Sequence, residues 1–355
     1  EFMLRIRFPG GRVSNDSVLL IANLAKKYNL QIILTARAGM QLHGLTSNNI
    51  LEVFNKINNS EITTFQSFGD NIRNITGDIF DGIGKYNIIE VYPYIIKMQE
   101  YILNNEEYLG LLPRRLSLGI SGSCANVNSF FASDLYFALA KKNDIYGFNV
   151  YLGGKNTQIA KDANIFLEKE DLLDFFIAFI DVFNKHGSRI DRNNNRLFHL
   201  IEEIGIDKLK EYIQTSYKKT WQSKGETLLE KIDFNEFEKL KNNKYSFCYR
   251  SLFARIQASE LYEIALWAIK DNLEIRFGTD QQIYLFNLIK PKVPIVHYNG
   301  NRTMLACAGS DFCPYSYWNI KDEIQCLPLD KIEKNSILVG FSGCLKGCAK
   351  HEHSD

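Results

Sequence analysis

The feature that most restricts the fold of this chain is an internal repeat. Displacing the sequence against itself by 243 residues, without a gap, lays Arg7 on Arg250, Val18 on Leu261, Ile21 on Ile264 and Ala22 on Ala265. The same displacement carries on through Ala25 on Ala268, Asn29 on Asn272, Leu42 on Leu285 and Leu45 on Leu288. An ungapped match over about forty residues, with apolar positions in phase, marks two copies of one supersecondary unit.

The first copy has a readable order. Residues 3–8 (MLRIRF) alternate and run into Pro9-Gly10-Gly11, a strand entering a tight turn. Val18, Ile21, Ala22 and Ala25 then recur at helical spacing from a start near Ser14. QIILTA (31–36) and GMQLHGL (39–45) are strand-like, and 46–57 is a second amphipathic helix. The unit is β-α-β-β-α, spans residues 3–60, returns at 246–290, and pairs with its copy about a pseudo-twofold axis.

Between the copies the character changes. A helix is expected over 87–104, kinked at Pro93. LPRRLSLGISGS (112–123) reads as a strand entering a small-residue loop, and DLYFALA (134–140) and YGFNVYLGG (146–154) as two more strands. From 169 to 242 the pattern is helical, broken by polar linkers at 187–195 and 222–226. SILVGFSG (336–343) resembles LSLGISG (116–122), so this region is duplicated too, with Ser123 where the later copy has Cys344.

Length and charge bound the classes that remain. A chain of 355 residues holds two or three domains with real cores. A net charge of +1 gives no footprint for nucleic acid, and no apolar run reaches the length of a membrane span. Seven cysteines in so long a chain suit a reducing compartment rather than a disulfide scaffold, and no signal-peptide pattern opens it, so a cytoplasmic protein is expected.

Four of those cysteines form two pairs, Cys307-x5-Cys313 and Cys344-x3-Cys348. Thiolate sulfur suits soft centres: iron–sulfur clusters, zinc or Cu(I). Gly309, Gly343 and Gly347 let the backbone close round a ligand, and Phe312 and Phe341 are placed to shield it. Neither pair has the spacing of a zinc knuckle, which puts iron–sulfur first, while His351 and His353 behind the second pair keep zinc open. Cys124, Cys248 and Cys326 read as ordinary packed thiols.

CAGSDFC together with SGCLKGCA resembles the cluster signature of the sirohaem-dependent nitrite and sulfite reductases. The resemblance implies that Cys307, Cys313, Cys344 and Cys348 hold a 4Fe–4S cluster and that Cys348 bridges it to sirohaem iron. Three basic stretches agree with it. FMLRIRFPGG (2–11) looks like the family's opening strand, which gives Arg5 a substrate contact and implies a cofactor role for Arg7 beside it. LTARAGMQLHG (34–44) matches the stretch that wraps the macrocycle, implying cofactor roles for Thr35, Arg37 and Gln41. FGDNIRNITG (68–77) assigns Arg73 a second substrate contact. Gln281 in GTDQQIYL matches a glutamine near the haem, GFNVYLGG (147–154) matches a strand and turn under the cofactor, and His43 reads as a hydrogen-bonded core residue. The bland alternative for any one arginine is a solvated charge at a strand end; three stretches in the family's order favour the functional reading.

LPRRLS (112–117) departs from the pattern. Sulfite reducers have L-P-R-K-x-K here and plant-type nitrite reducers L-P-R-K-x-N, so the resemblance implies cofactor roles for Arg114 and Ser117, with Arg115 replacing a lysine at the substrate and neutral Ser117 replacing the second polar or cationic group. Family members also continue with further strands past the last cysteine pair, so the final segment is expected to be truncated.

The fold class expected is therefore α+β: two pseudo-twofold-related α/β half-units plus two related cluster/haem-binding segments, with a helical insert. The divisions are a first ferredoxin-like half-unit at 1–85, a reductase-type segment with the insert at 86–242, a second half-unit at 243–292, and the cluster-ligand segment at 293–355. The expected function is multi-electron reduction of nitrite or sulfite, nitrite ahead, at a 4Fe–4S cluster and sirohaem. Arg5, Arg73 and Arg115 polarise the substrate's bonds. Electrons come from a separate protein such as ferredoxin, because no flavin or nicotinamide motif is present. Two rivals remain: a precorrin synthase-like oxygenase of cobalamin biosynthesis on the same scaffold, and a non-catalytic zinc-binding protein using Cys344, Cys348 and His351.

Overall fold

The structure is a computed structural model that describes residues 2–125, 133–155, 158–230, 232, 234–251, 253–293, 304–334, 339–345 and 347–349. His351 and His353 lie outside them. The chain divides into two compact units, the first made of Glu1–Thr64 with Phe234–Asp355 and the second of Phe65–Asp233.

In chain order the first stretch holds β1 (Phe2–Ile6), α1 (Asn15–Tyr28), β2 (Gln31–Leu34), β3 (Met40–Leu45) and α2 (Ile50–Asn58). The second unit follows with α3 (Tyr92–Asn104), β4 (Leu118–Ser121), β5 (Leu135–Lys142), β6 (Ile145–Leu152), β7 (Lys161–Leu167), α4 (Leu172–His186), α5 (Leu197–Ile204), α6 (Ile206–Tyr217) and β8 (Glu226–Thr227). The chain then completes the first unit with β9 (Phe237–Lys239), β10 (Tyr245–Tyr249), β11 (Arg255–Ile256), α7 (Ala258–Lys270), β12 (Glu274–Phe277), β13 (Ile283–Leu288), β14 (Met304–Ala306), α8 (Ile320–Glu323) and β15 (Val339–Phe341).

The repeat is visible as geometry in the first unit. Strand orders β1-β3-β2 and β12-β13-β10 are the same order read from opposite ends. Both copies carry an irregularity in register, between Phe2 and Leu4 in β1 and between Tyr245 and Phe247 in β10, which are equivalent positions. Left-handed backbone recurs in register as well: Asn29 and Asn272 both at φ 51°, Ala38 at 53° with Gln281 at 61°, and Gly44 at 87° with Asn287 at 75°. Asn tolerates this region because its short side chain bonds locally, which explains its use at the two helix ends.

The copies also touch reciprocally. Arg12 bridges Arg276, and Arg255 pairs with Ile33. Adding 243 to the first residue of one pair and subtracting it from the second gives the other pair, the signature of a twofold relation. Gly11 (φ +76°) sits at this seam, where a Cβ would fall 2.1 Å from the Phe277 carbonyl oxygen. Phe8 stacks on Phe277 at 4.8 Å beside it. α1 and α7 bury Val18, Ile21 and Ala22 with Leu261, Ile264 and Ala265 in one shared core.

The second unit is built on β4-β5-β6-β7, with β4 parallel to β5 and the remainder antiparallel. α4 lays Phe175, Phe176, Phe179 and Phe183 into its core. Two expectations fail here. Pro93 kinks nothing, because it stands in the first turn of α3, where its missing N–H costs no hydrogen bond. The helical pattern expected to 242 ends with α6 at Tyr217; beyond it β8 pairs with β5 and β9 with β10, since sheet edges there offer unpaired backbone groups.

Candidate functional site

In the first unit, alternation along β1 sends Leu4, Ile6 and Phe8 to the core and leaves Arg5 and Arg7 on the other face. Arg5 stands opposite Gln41, Gln41 opposite Ile33, and Ile33 opposite Arg255, so one row crosses all four strands of β1-β3-β2-β11. With its amide set by its partners, Gln41 accepts from Arg5 Nη2 at 2.9 Å and donates to His43 Nε2 at 2.9 Å. His43 is buried and its ring lies 4.4 Å from that of Phe312. Burial, then the charges of Arg5 and Lys321, push its pKa down to about 4, so the imidazole is neutral. The buried guanidinium of Arg7 is lowered to about 10 by burial and stays charged.

Thr35 organises the β2–β3 loop: its Oγ1 accepts from Gly39 N at 3.1 Å and Arg37 N at 3.4 Å, holding Arg37 at the tip. Gln281 is buried, and its amide is used on Ala306, giving and receiving one hydrogen bond of 3.1 Å each. It thereby fixes the residue before Cys307.

The two cysteine segments meet because β14 and β15 are parallel neighbours, Ala306 opposite Phe341. Cys307 N donates to Phe341 O at 3.0 Å, and Gly343 N donates to Cys307 Sγ at 3.3 Å. Tyr317 N donates to Gly343 O at 2.9 Å, and Cys313 N to Gly309 O at 2.9 Å. Gly343 is closely packed: a Cβ there would lie 1.8 Å from Ser316 Oγ and 2.8 Å from Ser316 Cβ. Cys307, Cys313 and Cys344 are half-buried and Cys348 exposed, and none of the four is in a disulfide. Their backbones adjoin, but among the described residues no three His, Cys, Asp or Glu side chains converge closely enough to hold an ion. Of the other thiols, Cys248 is buried, Cys124 half-buried and Cys326 exposed. Cys326 is therefore not packed, because the short turn after α8 leaves it on the surface.

In the second unit, FGDNIRNITG and LPRRLS run side by side. Ile72 bridges Leu116 in parallel, Arg73 N donates to Leu116 O at 2.8 Å, and Arg73 Nη1 donates to Ser67 O at 2.7 Å. Arg114 pairs with Asp70 at 3.1 Å, and Arg115 is half-buried next to it. Ser117 is buried and donates its hydroxyl to Asp134 Oδ2 at 2.5 Å, with its own N–H on the same oxygen at 2.8 Å. Asp134 is fully buried and its other oxygen accepts from Arg196 at 2.9 Å.

Arg255, Lys321, Asp134 and Arg196 were absent from the sequence-derived set. The repeat carried a signal for Arg255, since the displacement lays Arg12 on it; the other three depend on tertiary packing.

Two family models match the chain. One, described as the nitrite and sulphite reductase 4Fe-4S domain, matches residues 68–220; the other, the nitrite/sulfite reductase ferredoxin-like half domain, matches residues 1–60. The first region contains one cysteine, Cys124, so its match does not include the paired cysteines. A ferredoxin–nitrite reductase of Synechococcus elongatus is 25% identical over 386 residues, covering 100% of this chain and 75% of its own length. One from Leptolyngbya laminosa is 25% identical over 390 residues, covering 100% and 76%. The solved structure of the Mycobacterium tuberculosis NirA protein superposes with a TM-score of 0.85 at 20% identity, over 98% of this chain and 69% of that one, a likeness of fold.

Proposed function

The chain belongs to the nitrite and sulphite reductase family, and from that premise we propose that it reduces a small oxyanion, nitrite ahead of sulfite, at sirohaem coupled to a 4Fe–4S cluster. The observation that carries the reading is the parallel pairing of β14 with β15, which brings Cys307 against the Gly343 N–H at the head of the second cysteine pair. The donor set suits the group: four thiols outside any disulfide, three glycines that admit close backbone approach, and the hydrogen-bonded Arg5, Gln41 and His43, of which Arg5 can meet a carboxylate.

Cys307, Cys313, Cys344 and Cys348 are the residues that would hold the cluster, and cluster and sirohaem, when bound, would supply one-electron transfers to the oxyanion. Gln281 and Gly343 hold the ligand segments in place. Arg37, Gln41 and Arg114 are assigned to the macrocycle's carboxylates, and Arg5, Arg73 and Arg115 to the oxyanion. Each assignment rests on its own stretch of sequence. An arginine fork donates in parallel to two oxygens and keeps its charge throughout. Ferredoxin is the proposed electron donor, as in the names of the relatives. No helix among the described residues is long and apolar enough to cross a membrane.

Ser117 supports nitrite. Near neutral pH sulfite is a mixture of monoanion and dianion, and the dianion gains more from positive charge than the nitrite monoanion does. Here the position that carries a second lysine in sulfite reducers holds a hydroxyl committed to Asp134. The rivals, oxygenase and zinc protein, have no observation in their favour.

The test is protein made in a sirohaem-producing host. A Soret and red band, iron and sulfide, and faster turnover of nitrite than of sulfite with one artificial donor are expected. A protein without haem bands would end the sirohaem assignment, and a clear preference for sulfite would end the substrate assignment.

A further inference from the structure

Lys321 is a buried cation with no counter-ion among the described residues. It is 2% exposed, at the start of α8. Among the described residues its ammonium donates to the Phe253 carbonyl, and no carboxylate comes within ion-pair distance. Asp311, whose charge acts on Lys321, pairs with Arg255 at 3.4 Å. Burial pushes the pKa of Lys321 down to about 8 and Arg255 pushes the same way, while Cys307 and Asp311 act against them. A buried ammonium served by one carbonyl is costly unless an anion completes its surroundings.

The backbone places that ammonium beside the cysteine segments. Its neighbour Ile320 is wedged between them: a Cβ on Gly309 would meet Ile320 N at 3.5 Å, and one on Gly343 would meet Ile320 Cδ1 at 3.2 Å. Phe253, whose carbonyl takes the ammonium, packs in one apolar cluster with Ile320 and Cys307. Phe253 and Ala254 are both left-handed, at φ 50° and 64°, and occupy the positions of Gly10 and Gly11 in the other copy. The turn that aims this carbonyl at Lys321 is thus held in a conformation that non-glycine residues seldom adopt.

We propose that Lys321 is the counter-charge of the cluster held through Cys307 and sets how readily that cluster accepts an electron. This rests on the ligand assignment above. The step concerned is transfer of one electron from the donor protein to the cluster; no bond forms or breaks and no proton moves, so Lys321 acts through its charge. Four thiolates make the cluster anionic, the added electron makes it more so, and a fixed cation in a medium of low dielectric stabilises the reduced state more than the oxidised one.

The experiment is a redox titration of the holoprotein, followed by electron paramagnetic resonance of the reduced cluster, with iron and sulfide measured on each sample. Lys321→Met and Lys321→Gln both remove the charge, and Gln keeps a donor for Phe253. Both are expected to shift the reduced-to-oxidised ratio at fixed potential at least tenfold toward oxidised, which is about 59 mV for one electron. Lys321→Arg retains the wild-type value. A full cluster with unchanged potential in Lys321→Met or Lys321→Gln overturns the proposal. Loss of the cluster in all three variants also overturns it, assigning Lys321 to support of the Phe253 turn. Cys307→Ser separates the two readings: a full cluster there removes the ligand assignment itself, whatever the lysine variants do.

Discussion

Gln281 pairs with Ala306 as one peptide group pairs with another, Nε2 donating to the carbonyl and Oε1 accepting the N–H, both at 3.1 Å. The glutamine stands at φ 61°, in the place that Ala38 holds in the first copy at 53°. Ala38 has no group with which to do this. The second copy has thus turned a loop position into a clamp on the chain that leads to Cys307.

Replacing Gln281 by Gly removes the clamp while easing the left-handed backbone. If strain dominated, stability would rise. The two buried backbone groups of Ala306 left unpaired cost about 1–3 kcal/mol each, more than a relaxed turn returns. Gln281→Gly is therefore expected to lower the denaturation midpoint and the iron content together. A midpoint at or above wild type would show that strain, not the clamp, governs this position.

How far the sequence was legible follows from the range over which each feature is determined. Asn29 and Asn272 end equivalent helices because of local chemistry, and the displacement of 243 residues found them. The alternation in MLRIRF placed Arg5 and Arg7 on one face correctly, since the strand period is two. The environment of Ser117 was hidden, because it is set by Asp134, 17 positions on, and by Arg196, 62 beyond that. Lys321 was silent for the same reason: its carbonyl partner is 68 positions away, and nothing in IKDE distinguishes a buried lysine from a solvated one. Cys326, by contrast, was misjudged on a base rate, as free cysteines are usually buried.

The Ser117–Asp134–Arg196 network gives a stability prediction. Asp134 is fully buried, the Arg196 side chain is 14% exposed, and they meet at 2.9 Å. Removing one partner strands the other, at a cost of about 3–5 kcal/mol. Arg196→Gln and Asp134→Ala should each lower stability by that order in urea unfolding. The double variant should cost much less than the sum, and additivity would refute the coupling. In a Ser117→Lys variant the same network is expected to capture the new ammonium through Asp134, so sulfite turnover should rise only slightly over wild type.

Arg73 supplies the kinetic prediction. Its Nη1 holds the Ser67 carbonyl at 2.7 Å, so the side chain is anchored before any substrate arrives. Arg73→Ala is expected to leave the haem spectrum close to wild type while kcat/KM for nitrite falls by about 2.7–4 kcal/mol, the range for loss of one preorganised donor. Arg73→Lys should recover part of the charge but not the fork. Normal kinetics with a lowered melting temperature in Arg73→Ala would make it a scaffold residue.

The last prediction is a pH dependence of stability carried by His43. Its folded pKa is about 4, depressed first by burial and then by Arg5 and Lys321, against an ordinary value of 6.5. The unfolded chain therefore binds the proton more tightly than the folded one. The neutral ring costs nothing above about pH 6.5. Stability falls as the pH drops through the interval from 6.5 toward 4, and His43 adds no further loss below it. At about 1.36 kcal/mol per unit the full effect is on the order of 3 kcal/mol. Gln41 reinforces it, because the amide that donates to Nε2 leaves no acceptor there for an imidazolium proton. His43→Gln should flatten the slope of unfolding free energy against pH over this interval, measured by urea titration at half-unit steps. A variant that keeps the wild-type slope would assign the acid sensitivity to other groups.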